Sequence, residues 1–197
     1  MRTEEKRDWI SASSFSPHTS ALRTSLIPPR SSLYFVWSIT ALLTLAFVSL
    51  IVIAPVAVAH GHDSAAFVLY KSFEKFCHQI PERSFYVDGH PLAVCARCTG
   101  IYFGFAAGVL FYPVARSLAQ SYAAPARKWL LIALGPAVLD FALDYFGIWE
   151  NTRLTRSITG ALLGSVVAFY VVPALLDMVR MAPGWSRSRE TKHEQEV

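Results

Sequence analysis

Charged residues are scarce in this chain of 197 residues. Asp, Glu, Lys and Arg make up 16% of it, whereas hydrophobic residues make up 53%. Soluble domains usually carry about a quarter charged residues, so an ordinary soluble domain is a poor match. Because the apolar residues also gather in long blocks, the composition predicts a membrane protein.

Several kinds of motif are missing. The sequence has no glycine-rich nucleotide-binding loop, no Ser-His-Asp order and no nucleic-acid-binding motif. Three cysteines are too few for a disulfide-rich scaffold. The formal charge of +4 does not indicate nucleic acid as a partner, because the basic residues lie in the tails and at the ends of apolar runs. There they serve as topology signals and contact anionic membrane lipids.

Four apolar runs are long enough to cross about 30 Å of hydrocarbon as helices. Only closed backbone hydrogen bonding is tolerated in lipid. The predicted fold class is therefore an all-α integral membrane protein with four transmembrane helices, an interfacial amphipathic helix and a short hairpin before the second span. The predicted spans are Leu33–Ala59, Leu92–Ala115, Trp129–Trp149 and Leu154–Met178.

The polar segments predict the organisation and orientation of the chain. Residues 1–32 are predicted to be a disordered basic cytoplasmic arm, 33–178 a membrane domain with a motif loop at 60–91, and 179–197 a polar cytoplasmic tail. Twelve Lys and Arg residues lie on the side of the two termini and six on the other side. The positive-inside rule thus places the termini in the cytoplasm and the motif loop outside, in the periplasm or extracellular space of a bacterium.

The motif loop combines two predicted elements. Residues Ser64–Ile80 have apolar side chains at helical spacing, with Lys71 and Lys75 on the other face, which predicts an amphipathic helix in the membrane interface. Pro81 would end this helix. An Asp-Gly turn at 88–89 then predicts a short hairpin.

All three cysteines lie in or next to this loop. Cys95 and Cys98 are three residues apart, and the hairpin would bring Cys77 and His78 back to them. Three thiolates and one imidazole are a familiar tetrahedral zinc set, which makes Cys77, His78, Cys95 and Cys98 the predicted metal ligands. His90 is the alternative fourth ligand. Two other interpretations stay open: a redox or structural disulfide, and ordinary buried thiols.

Two carboxylates interrupt the third apolar run. Asp140 and Asp144 are four residues apart and share one helix face. Carboxylates within a membrane are costly and normally face a partner or water. Arg156 is the expected counter-ion of Asp144, and Arg97 should lie at the same depth. These four residues are the candidate catalytic and anion-holding groups; the alternative is a structural ion pair that joins two helices.

Glycines recur at four-residue spacing in two spans. Small residues at this spacing let helices approach closely in lipid. The second and fourth spans should therefore touch, which would bring Cys98 near Arg156. The glycines concerned are Gly100, Gly104 and Gly108 in one span and Gly160 and Gly164 in the other.

Two motifs in the sequence resemble a known family. They are C-H-Q-x-P-x-R-S from Cys77 to Ser84 and C-x-R-C-x-G-x-Y-x-G from Cys95 to Gly104. With the Asp of the third span and "NTRLTRSITGALLG", they are similar to the prokaryotic membrane proteins catalogued as domain of unknown function 2085. The resemblance covers about Phe67–Val172. It implies a polytopic membrane protein and assigns no activity.

The sequence predicts a function only by class. We expect a zinc-dependent membrane enzyme that acts on a lipid or lipid-linked phosphate at the outer leaflet, where a carboxylate serves as base and an arginine holds the anionic group. The alternatives are a small transporter or flippase component and a thiol-redox or metal-sensing membrane protein.

Overall fold

The computed structural model describes residues 30–118 and 125–181. Most of the predicted arm and tail falls outside these residues. Within them the chain forms five α-helices, one 3-10 turn at Pro81–Arg83 and one hairpin. The helices are α1 Arg30–Ala59, α2 Asp63–Phe73, α3 Ala96–Ala115, α4 Arg127–Tyr145 and α5 Arg153–Met181, and the strands are β1 Tyr86–Val87 and β2 His90–Pro91.

Three helices of the described part are long and apolar enough to cross a membrane. They are the segments Ser31–Ala59, Ala96–Ala115 and Arg153–Val179, which belong to α1, α3 and α5. Helix α4 has 19 residues, but Arg127, Lys128, Asp140 and Asp144 are among them. The predicted helical fold is thus confirmed, with three candidate membrane-spanning helices in the described part, and the fourth span is not confirmed.

Helices α3 and α5 run parallel with their backbones in close contact. A Cβ added at Gly104 would come within 2.6 Å of the Ala161 Cα, and one added at Gly100 within 2.9 Å of the Ser157 Cα. From α5, a Cβ at Gly160 would lie 3.1 Å from the Ile101 nitrogen. The predicted contact between these spans is therefore confirmed, and glycine is what permits it.

Helix α1 runs antiparallel to α3. The Trp37 indole donates a hydrogen bond to the Val109 carbonyl (2.8 Å), and the rings of Phe47 and Tyr102 pack edge to face at 5.0 Å. We call the end of the bundle at which α1 finishes and α3 and α5 begin the cysteine end. Its buried cluster comprises Ile51, Ala54, Phe73, Cys77, Leu92, Ala93 and Val94.

Helix α2 ends earlier than the sequence predicts. It stops at Phe73, seven residues before Ile80, so Phe76 and Ile80 do not extend its buried face; their exposed fractions are 63% and 37%. Beyond the helix end, Gln79 has a left-handed backbone (φ 51°), which a continuous α-helix does not contain. Its side-chain amide donates to the Tyr70 carbonyl (2.7 Å), which also accepts the Glu74 N–H.

The predicted hairpin is confirmed. Val87 pairs with His90 in an antiparallel register, and Asp88 and Gly89 connect the strands. Both connecting residues have positive φ (50° and 78°), as a type I′ turn requires. The hairpin returns the chain from α2 to the start of α3.

Replacing Gly104 by Ala should separate α3 from α5. The new methyl group would meet the backbone of Ala161, which cannot rotate away. We expect a loss of about 1–3 kcal/mol in stability, as overpacking typically causes, measured by unfolding in detergent.

Gly135→Ala in α4 is the matched control, because a Cβ there meets nothing within 4 Å. This variant should keep or slightly raise stability, since Ala favours helix over Gly. Equal losses in the two variants would contradict the close contact of α3 and α5.

Candidate metal centre

The three cysteines converge at the cysteine end. Their Sγ atoms all lie within 4.8 Å of one another. Cys77 lies in the turn after α2 and is buried, Cys95 is the N-cap residue of α3, and Cys98 lies in the first turn of that helix. Residues three apart at a helix start share a face, so the C-x-x-C spacing presents two sulfurs to the third.

Backbone amides orient the Cys77 sulfur. The Cys95 N–H donates to Cys77 Sγ at 3.1 Å, and the Gln79 N–H donates to it at 3.5 Å. Such N–H···S bonds hold a ligand sulfur in place from outside the coordination shell. The turn after α2 is therefore shaped around this sulfur.

Gln79 joins the two segments that carry the cysteines. Its side-chain amide donates to the carbonyls of Tyr70 (2.7 Å) and Ala93 (2.8 Å). One bond reaches the end of α2 and the other the segment just before Cys95. Sequence reasoning missed this role, although the residue stands between Cys77 and Pro81 in the first motif; its left-handed backbone is invisible in the sequence.

The three thiols interact with one another. Hydrogen bonds from the Cys77 and Cys98 thiols hold the pKa of the Cys95 thiol far below its ordinary value. A lowered pKa favours the thiolate, which is the form that binds metal. All three cysteines lie in the described part of the chain and are free, so the disulfide alternative is not the arrangement seen.

The histidines lie apart from this sulfur cluster. His78 is exposed and lines the cavity beside it, but it is not among the groups whose ligand atoms lie within 4.8 Å of one another. His90 lies in β2 and is also outside that group. A fourth ligand from His78 or His90 stays a prediction.

The predicted carboxylates and arginines form ion pairs next to the sulfurs. Arg156 Nη2 lies 2.8 Å from an Asp144 oxygen, which confirms the predicted pair. Arg83 approaches the same carboxylate at 3.8 Å. Arg97 pairs with Asp140 at 2.5 Å, a partner that the sequence did not indicate. These pairs tie α4 to the starts of α3 and α5.

Two of these ion pairs include a buried charged group, and removing a charge from water is costly. Asp140 and Arg156 are 8% and 7% exposed. The Asn151 side chain donates to the Asp140 backbone carbonyl, and the Arg97 guanidinium lies over the Phe141 ring at 5.7 Å from its centroid. The Arg97 Nε is buried and has no hydrogen-bond partner among the residues that the structure describes.

A cavity of about 250 Å³ opens beside the sulfur cluster. No acidic side chain is among the described residues that line it, since both aspartates approach their arginines from elsewhere. The lining is made of the three cysteines, three arginines, one histidine and apolar side chains: Phe76, Cys77, His78, Ile80, Arg83, Cys95, Arg97, Cys98, Ile101 and Arg156.

Comparisons with known proteins agree with the motifs. The family model described as "Predicted membrane protein (DUF2085)" matches residues 77–170. An uncharacterised protein of Methanocaldococcus jannaschii is 40% identical over 111 residues, which are 56% of this chain and 70% of that protein. An uncharacterised protein of Methanothermobacter thermautotrophicus is 33% identical over 88 residues, 45% of this chain and 77% of the relative. No solved structure matches.

Both relatives are archaeal, so they give no support to the expected bacterial setting.

Replacing Gln79 should loosen the sulfur cluster. In Gln79→Gly the positive φ is easily adopted, but the bonds to Tyr70 and Ala93 are lost. We expect the three thiols to react faster with a maleimide reagent in detergent-purified protein. Ser72→Gly is the control, because its hydroxyl bonds only within α2 and is exposed; thiol reactivity equal to that of Gln79→Gly would contradict the positioning role.

Replacing Asp144 by Asn should strongly destabilise the bundle. The buried Arg156 would lose its charged partner, which typically costs about 3–5 kcal/mol. Glu74→Gln breaks the exposed pair with Lys71 and should change stability by less than about 1 kcal/mol. Thermal unfolding in detergent measures both; similar small changes would show that the Asp144 pair is well solvated.

Proposed function

The chain belongs to the family of predicted membrane proteins known as DUF2085, for which we propose a function in this chain: it holds one divalent metal ion, zinc, on Cys77, Cys95 and Cys98 and hydrolyses a phosphate ester beside it. The observation that carries the proposal is the group of three sulfurs within 4.8 Å of one another, open to a cavity with three arginines.

The donor set fits zinc. Thiolate sulfur suits this metal, and three thiolates bound to it at about 2.3 Å would lie about 3.8 Å apart. A contraction of the observed cluster would complete such a site. Three protein ligands leave one position free, as in catalytic rather than structural zinc sites. That position would face the cavity, because Cys77, Cys95 and Cys98 line its wall.

In this proposal the arginines bind the phosphate group of the substrate. Guanidinium groups match the oxygens of phosphate with paired hydrogen bonds. Asp140 and Asp144 do not line the cavity and are already bound to arginines. We therefore assign them the positioning of Arg97 and Arg156 rather than the role of base.

His78 is the proton-transfer group in this proposal. It lines the cavity and is exposed, and a neutral imidazole has one ring nitrogen that accepts a proton and one that donates. Water attacks phosphorus, so a new P–O bond forms while the bond to the leaving oxygen breaks. His78 accepts the proton of the attacking water and returns it to the leaving oxygen. When bound, the metal adds Lewis-acid polarisation of the phosphoryl group.

The proposal places the cysteine end at the outer leaflet. The excess of Lys and Arg on the side of the termini supports this orientation. The phosphate ester would then reach the cavity from outside the cell.

Elemental analysis of the full chain purified in detergent tests the metal centre. We expect about one zinc per chain, lost in Cys77→Ser, Cys95→Ser and Cys98→Ser. Thr99→Ser, in the same turn of α3 but with no ligand role, should keep the metal. Full-length protein without metal, or with metal that survives all three cysteine substitutions, would overturn the proposal.

The variant His78→Ala tests whether this histidine transfers a proton or serves as a fourth metal ligand. It should retain zinc and lose hydrolysis of p-nitrophenyl phosphate by at least about a hundredfold. Loss of zinc in His78→Ala, as in the cysteine variants, would show four protein ligands and hence a structural site.

A further inference from the structure

A second cavity lies deeper along the spanning helices. It has a volume of about 440 Å³ and is lined almost entirely by apolar side chains of α1, α3 and α5. Ile101 lines both this groove and the cavity at the sulfur cluster. The other residues that line the groove are Leu43, Thr44, Phe47, Tyr102, Phe105, Leu163, Gly164 and Val167.

The two cavities follow one direction along α3. Arg97 lies at the polar cavity, Ile101 one turn further on, and Phe105 a further turn on, at the groove. At 1.5 Å per residue, Phe105 lies about 12 Å beyond Arg97 along the helix. Because α3 is long and apolar enough to span a membrane, this direction leads from the helix end into the hydrocarbon layer.

The chemistry of the walls changes along this direction. The polar cavity offers Arg83, Arg97 and Arg156 and no acidic lining residue among those described. Within the described part of the chain, the buried Arg97 Nε has no hydrogen-bond acceptor. Among the described residues that line the groove, only Thr44 and Tyr102 carry a hydroxyl group. One end thus suits an anion and the other a hydrocarbon chain.

We propose that both cavities together bind one phosphate-bearing lipid, with its headgroup at Arg83, Arg97 and Arg156 and a hydrocarbon chain in the groove past Ile101. This deepens the proposed function and rests on it, because it names the substrate class of the same site. The charge of the arginines selects a headgroup. Ile101 lines both cavities, so a lipid that occupies both would pass its side chain.

Native mass spectrometry of the full chain released from detergent tests the lipid site. The protein is offered phosphatidylglycerol, phosphatidylcholine with the same acyl chains, and inorganic phosphate. We expect retention of phosphatidylglycerol over phosphatidylcholine by roughly tenfold, since charge-assisted hydrogen bonds favour the anionic headgroup. Phosphate alone should be retained far less, because it cannot occupy the groove.

Two pairs of variants test the two ends of the ligand. Arg83→Gln should reduce the preference for phosphatidylglycerol several-fold, whereas Arg153→Gln, an exposed arginine that does not line the cavity, should keep it. Val167→Trp fills the groove and should lower retention of both lipids, whereas Val138→Trp on the exposed face of α4 should not.

The measured retention and masses distinguish failure of the lipid site from failure of the metal centre. Equal retention of the two lipids, or equal behaviour within either pair of variants, would overturn the lipid site. The mass of each ion also reports the metal. Lipid bound to a metal-free chain would overturn the metal centre alone, and a zinc-loaded chain without selective lipid would overturn the lipid site alone.

Discussion

The close contact of the α3 and α5 backbones is the constraint on which the site depends. Lipid tails are as apolar as leucine, so helices in a membrane gain little by hiding apolar side chains from them. Glycines at 100, 104, 160 and 164 instead let the two backbones meet. This contact brings the helix start that carries Arg97 and Cys98 against the helix start that carries Arg156. A bulkier interface would move Arg156 away from Arg97 and Cys98.

The ion pairs of α4 belong to the same arrangement. Buried pairs seldom add much net stability, because removing two charges from water offsets most of their attraction. Asp140 and Asp144 nevertheless meet Arg97 and Arg156 at the cysteine end. Their effect is to fix guanidinium groups in a wall that has no carboxylate of its own among the described lining residues. In the proposed function this arrangement serves a binding site.

The features predicted correctly from the sequence are those that depend on residue spacing or on short stretches of chain. The glycine spacing predicted the contact of α3 and α5, the Asp-Gly pair predicted the hairpin, and the depth of Asp144 predicted its pairing with Arg156. Features that depend on distant backbone groups were missed. Gln79 has a left-handed backbone and bonds to carbonyls on two segments, yet it lies in the stretch that periodicity alone assigned to α2. The partner of Asp140 was missed as well, because the pair joins residues 43 positions apart.

In the proposed site, three cysteines hold one metal ion whose fourth position faces the arginine cavity. X-ray absorption spectroscopy at the zinc edge of the purified full chain measures this coordination shell. We expect three sulfur neighbours at about 2.3 Å and one oxygen or nitrogen neighbour at about 2.0–2.2 Å, with the light-atom shell unchanged in His78→Ala. A shell without sulfur, or a light-atom neighbour that disappears in His78→Ala, would rule out a three-cysteine site with an open position.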